Sequence, residues 1–149
     1  MDSHLRRRLR HVTWAYTIGF QRSADAPEVI AFDIPQDTAN AVFHEVFRQL
    51  RAGELVMRDG ERWMPDDVVM TWRKVHPSRF VDDPEQLWFA LAHDFHLLLG
   101  SSGKEFEAYQ LVIGDGEGHL PWEPGYDETI RCRQRALWEP AELAPAAAV

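Results

Sequence analysis

The run Asp115-Gly116-Glu117-Gly118-His119 places two carboxylates and an imidazole within five positions. Such groups bind a cation, or act as general acid and base when their pKa values are shifted, so Asp115 and His119 are the candidate catalytic pair. The spacing does not fit an EF-hand, which needs further acidic ligands and a closing Glu. The same glycines serve tight turns with positive φ equally well, and that reading leaves the carboxylates as solvated turn residues. His93 and His96 form a second cluster. Three positions apart on a helix, two imidazoles can share one metal ion. A third ligand would have to come from elsewhere, with His76, His119 and Asp115 as the candidates.

Other residues carry recognition rather than reaction chemistry. Thr17 and Gln110 are polar positions in otherwise apolar strand patterns, and a buried hydroxyl or amide must find a partner in backbone, water or ligand. Tyr16 and Trp122 offer flat surfaces for stacking, or for plain core packing. Arg131, Arg133 and Arg135 alternate and could hold an anion, with Glu117, Glu123, Asp127 and Glu128 as internal partners. Cys132 lies among these arginines, where a thiolate would be stabilised. There is no phosphate-cradling glycine loop, no GxSxG elbow and no HExxH motif.

These residues need elements to position them. Val12 to Phe20 alternates large apolar with small residues, the period of a strand, with one small face that a second chain could approach. Glu28 to Ile34 is apolar on both faces and reads as a central strand. A helix follows from Asp37 or Thr38 to about Arg51, with Ala39, Phe43, Val46, Phe47 and Leu50 as its core stripe and Gly53 as its stop. Leu55 to Met57 and Arg62 to Met64 flank Asp59-Gly60 as a hairpin, and Val68 to Val75 is a further strand broken by His76-Pro77. Asp83-Pro84-Glu85-Gln86 starts a second helix whose buried face is Leu87, Trp88, Leu91, Phe95 and Leu98, with His93 and His96 opposite. A strand from Glu107 to Ile113 leads into the glycine-rich loop. Strands with two helices inserted among them make an α+β pattern: one domain, a mostly antiparallel sheet of about five to six strands, and two main helices packed on it.

Composition narrows the classes. At 149 residues the chain holds one domain, expected over residues 12–138, between a basic flexible arm (1–11) and an Ala/Pro-rich mobile tail (139–149). A net charge of -8 argues against general nucleic-acid binding. One cysteine excludes an internal disulfide framework. No apolar run approaches the roughly 20 residues of a membrane span and no signal-peptide h-region is present, so a cytoplasmic protein is expected.

The opening block Trp14-Ala15-Tyr16-Thr17-Ile18-Gly19-Phe20, followed by Pro27-Glu28-Val29-Ile30, resembles the bacterial family catalogued as domain of unknown function 4262. Gln110-Leu111-Val112, Asp115, Gly118, Leu120-Pro121-Trp122 and Gln134 follow in the family's order, so the resemblance spans Val12 to Leu137. Phe20 stands where the family usually has Leu, and Arg135 follows Gln134 where Pro is usual. The resemblance implies no common activity and carries over no catalytic residue. It does group Tyr16, Thr17, Gln110, Trp122 and Gln134 with Asp115 as polar or aromatic positions, and those five are the candidate ligand-binding set.

Three functions fit. One is a binding module for a small polar molecule or a protein partner. Another is a small hydrolase or lyase using Asp115 and His119 by acid–base chemistry or with the help of a metal at His93 and His96; the sequence identifies no cofactor. The last is a homo-oligomeric interaction domain, such as a homodimer paired through the Val12–Phe20 strand.

Overall fold

A computed structural model describes residues 13–80, 88–99 and 105–141. The basic arm, the proline cap of the second helix and most of the Ala/Pro-rich tail lie outside the described residues. Five strands form one open sheet: β1 (Trp14–Tyr16), β2 (Glu28–Phe32), β3 (Arg62–Trp63), β4 (Met70–Lys74) and β5 (Ala108–Ile113), in the order β1-β2-β5-β4-β3. Only β2 and β5 run parallel; the other three pairings are antiparallel. The helices are a single turn, α1 (Phe20–Ser23), and two longer ones, α2 (Gln36–Ala52) and α3 (Ala90–Leu99). The chain is therefore an α+β single domain with a mostly antiparallel sheet and two main helices.

Strand alternation divides the core in two. Val29, Ala31, Trp72 and Leu111 project from one face and pack under Ala39, Val42, Phe43, Val46, Phe47 and Leu50 of α2. Burying a side chain such as Val46 completely contributes about 1.5–3 kcal/mol. From the other face, Ile30, Phe32 and Ala108 meet Trp88, Phe89 and Ala92 at the start of α3, together with Phe106 and Leu137. Every residue of β2 is buried, as its two-sided apolar pattern predicts. Gly53, at φ 73°, closes α2 through its N–H to the Gln49 and Leu50 carbonyls. The edge strands are short, three residues in β1 and two in β3, which limits the unpaired backbone they expose.

Three elements depart from the sequence pattern. The first strand stops at Tyr16 although the alternation continues to Phe20. Gly19 enters the left-handed region at φ 96°, and the N–H groups of Gly19, Phe20 and Gln21 turn onto the Glu28 carboxylate. The Asp59-Gly60 turn does not join a strand at 55–57 to one at 62–64; instead β3 pairs with β4, and Gly60 donates to the Trp72 carbonyl. On α3 the buried stripe is Trp88, Phe89 and Ala92, whereas Leu91, Leu97 and Leu98 are exposed. The aromatic rings set this rotation. Trp88 stands edge-on to Trp14 and Phe32, and Phe89 meets Tyr16, Phe80 and Phe106. Each such ring buries about 150–250 Å², more than a leucine offers.

That rotation also moves the histidines. His93 follows Phe89 by four positions and His96 follows Ala92 by four, so both stand on the inner flank of α3, edge-on to Phe106 at 5.4 and 5.6 Å. They do not lie opposite the buried stripe.

Candidate functional site

The candidate ligand-binding and acid–base residues fall into two neighbourhoods. Tyr16 and Thr17 belong to the β1 edge, where Tyr16 packs against Phe89. Thr17 is buried; its hydroxyl accepts from the Val29 N–H at 2.9 Å and donates to Glu28 Oε1 at 2.8 Å. Glu28 is the hub of this corner, with Phe20 N–H also on Oε1 and the Gly19 and Gln21 N–H groups on Oε2. Burial raises the Glu28 pKa above its ordinary value, and these hydrogen bonds only partly offset it. The corner is closed on itself. The signal that could have disclosed it is a carboxylate at the head of an otherwise apolar central strand.

The second neighbourhood forms over β4 and β5. Asp115 follows β5, and its side chain is only 3% exposed. Its Oδ1 accepts from the N–H groups of Glu117 and His119, and its Oδ2 from Asp127, so one carboxylate ties both ends of the 115–127 loop. Burial acts to raise the Asp115 pKa, but the hydrogen bonds from His119, Asp127 and Glu117 outweigh it and hold the carboxyl below the ordinary aspartate value. His119 Nδ1 lies 3.6 Å from Asp115 Oδ2, beyond hydrogen-bond distance. A Cβ on Gly125, which sits at φ 90°, would come within 3.1 Å of the His119 ring. The loop therefore uses Gly125 both for its turn and for close approach to the imidazole.

Gln110 and Gln134 lace the C-terminal strap, residues 134–141, onto the sheet. Gln110 is fully buried; its Nε2 donates to the Arg135 carbonyl at 2.6 Å and its Oε1 accepts from the Leu137 N–H at 3.0 Å. Gln134 exchanges two hydrogen bonds with the backbone of Ile113. Farther along, the buried Arg79 donates to the Ala136, Glu139 and Pro140 carbonyls, and Ser78 accepts from the Ala141 N–H. Leu137 is buried in the core between these anchors, which fixes Trp138 beside it.

Loop and strap bring two tryptophans together. Trp122 sits at the tip of a turn in which Leu120 N–H bonds Glu123 Oε1 and Glu123 N–H bonds the Leu120 carbonyl. Its ring meets Trp138 at 5.6 Å and 86°. The Arg73 guanidinium lies 4.8 Å from the Trp122 ring centre and 5.1 Å from that of Trp138. Cation–π contacts of this kind each contribute about 0.5–1 kcal/mol at exposed sites. Asp59 Oδ1 accepts from Arg73 Nε at 3.0 Å and from the Lys74 N–H at 2.9 Å. Glu123 is paired with Arg62 at 3.2 Å. Trp122 remains 44% exposed and the Arg73 side chain 25%. An exposed indole held between structured neighbours, with a fixed guanidinium beside it, can stack a flat group and bind an anion.

Of the sequence candidates, Trp122 forms this surface, while Gln110, Asp115 and Gln134 position it. Arg73, Trp138 and Asp59 were not singled out. Arg73 is the neighbour of Gln110 across β4 and β5, an adjacency invisible before the strands pair. Elsewhere, Arg131 pairs with Glu128 and caps the Pro121 carbonyl, and Arg133 reaches Asp33 at 3.8 Å. Cys132 is exposed. Among the described residues, no group of three or more His, Cys, Asp or Glu side chains is placed to hold a metal ion. No helix among them is long and apolar enough to cross a membrane.

No curated protein and no solved structure matches the chain. One family does match, described as a domain of unknown function (DUF4262), and it covers residues 4–127, which include β1 through the Asp115–Trp122 loop. The chain belongs to the DUF4262 family.

Proposed function

We propose that this protein is a binding module for a small polar ligand, and that its working surface is the Trp122–Arg73–Trp138 corner. One observation carries the reading. Trp122 is kept exposed although three separate devices, the Asp115 loop, the Gln110 clasp and the Arg79 anchors, are spent on holding its surroundings rigid. A rigid aromatic contact loses little conformational entropy on binding, which is why tryptophan and arginine dominate recognition surfaces. The acid–base reading has less support, because both Asp115 oxygens already accept backbone N–H groups. Pairing of two copies through β1 draws only on its position at the sheet edge.

The test is chemical-shift mapping on the full-length protein with a panel of small polar molecules. Bound members should shift the indole N–H signals of Trp122 and Trp138, and Trp122→Ala should abolish those shifts while leaving the remaining spectrum folded. Shifts confined to the Thr17–Glu28 corner or to α3, or no shift at the tryptophans with any member, would overturn the reading. Sedimentation of the same sample reports any β1-mediated dimer.

A further inference from the structure

On the reading that this corner binds a ligand, its donors identify the class. We propose that Arg73 receives the carboxylate of a small aromatic acid, whose ring lies against the exposed part of the Trp122 indole. The guanidinium is already fixed: Asp59 engages Nε, and the two indoles flank the planar group. Among the described residues neither Nη nitrogen makes a hydrogen bond, so the two parallel donors that match a carboxylate are unspent. Because the side chain is held before the ligand arrives, binding does not have to order it.

The surrounding charges agree with an anion. The nearby carboxylates are both engaged, Asp59 by Arg73 and the Lys74 N–H, and Glu123 by Arg62 and the Leu120 N–H. A cationic ligand has less to gain, since the Arg73 guanidinium already lies against both rings and would repel it. The chain as a whole carries a net charge of -8, so attraction of an anion must be local and short-ranged. That favours a contact made by a fork of donors over one made by general steering.

The experiment titrates full-length protein with benzoate, benzamide, acetate and benzyltrimethylammonium, following the Trp122 and Trp138 indole N–H signals, in wild type, Arg73→Lys and Arg73→Gln. Benzoate should bind, with benzamide and acetate each at least about tenfold weaker, since one lacks the charge and the other the ring. Arg73→Lys should weaken benzoate by keeping charge without the fork, and Arg73→Gln should reduce it to the level of benzamide. Equal binding of benzoate and benzamide, benzoate binding unaffected in Arg73→Gln, or preference for the quaternary ammonium would each overturn the carboxylate assignment while leaving the binding surface standing. If none of the four perturbs either indole, the carboxylate assignment falls. If the wider panel is also silent there, the surface itself falls.

Discussion

Replacing Gln110 by Met tests whether the strap is held by one buried amide. Methionine is unbranched and close to glutamine in volume, so it adds little cavity or overpacking cost. What it removes is specific: the Arg135 carbonyl and the Leu137 N–H lose their partners at 2.6 and 3.0 Å. Leaving a buried backbone group unsatisfied costs about 1–3 kcal/mol each. Against this, the thioether no longer has to be desolvated as an amide would, an offset of about 1–2 kcal/mol. The balance is a loss of about 2 kcal/mol, which for a chain of this size lowers Tm by about 4–8 °C. Urea unfolding followed by tryptophan fluorescence measures the free energy. Native-state hydrogen exchange at Leu137 and Ala141 tells whether the strap opens locally or the fold loosens as a whole. The expected pattern is faster exchange at those two amides, by more than the common factor that the lower global stability imposes on the β2 and β5 amides. A change under about 0.5 kcal/mol, the size of a neutral surface substitution, would refute the reasoning and place the strap's anchorage at Arg79 and Leu137 instead.

Two further outcomes concern the carboxylates of Glu28 and Asp115. Glu28→Ala removes the acceptor of the Thr17 hydroxyl and of three backbone N–H groups, and should cost about 3–5 kcal/mol in urea unfolding, fraying the β1 edge before the Trp122 corner. Asp115 is held below its ordinary value of 3.8, so its contribution to stability is present above that value and is lost as pH falls through the folded pKa. Asp115→Asn should therefore be less stable than wild type near neutral pH, with the gap narrowing in acid; an equal gap at all pH values would show that the carboxylate's charge plays no part.

The Gln110 and Asp115 perturbations bear on one surface because the polar residues behind it act on backbone. Gln110 and Arg79 bind carbonyls and an N–H of the strap, and Gln134, within the strap, binds the backbone of Ile113. Substitutions along the strap that spare Gln134, Leu137 and Trp138 should leave the corner intact, whereas a change in the lacing residues displaces Trp138 without touching it. The family match ends at residue 127, so Asp115 and Trp122 lie within it and the Trp138 wall beyond it.

Much of the architecture is local and was legible in the sequence. The apolar run of β2, the stripe and glycine stop of α2, the break at His76-Pro77 and the strand at β5 depend on periodicity and backbone preference, which neighbouring residues settle among themselves. So does the order of elements that makes an α+β fold. Two kinds of feature were decided only in three dimensions. The rotation of α3 turned on which side chains bury most area together: Trp88 is buried as expected, but Phe89 and Ala92 took the core from Leu91 and Leu98, carrying His93 and His96 against Phe106. The corner needed strands adjacent in space but far apart in sequence: Arg73 of β4 beside Gln110 of β5, the loop bringing Trp122, the strap bringing Trp138. Tyr16, Thr17, Gln110, Trp122 and Gln134 all stood out as polar or aromatic exceptions, yet only the fold separates the groups that grip backbone from the one left facing solvent. A side chain's chemistry is written in its type, but its partner is set by packing and hydrogen-bond satisfaction over the whole domain.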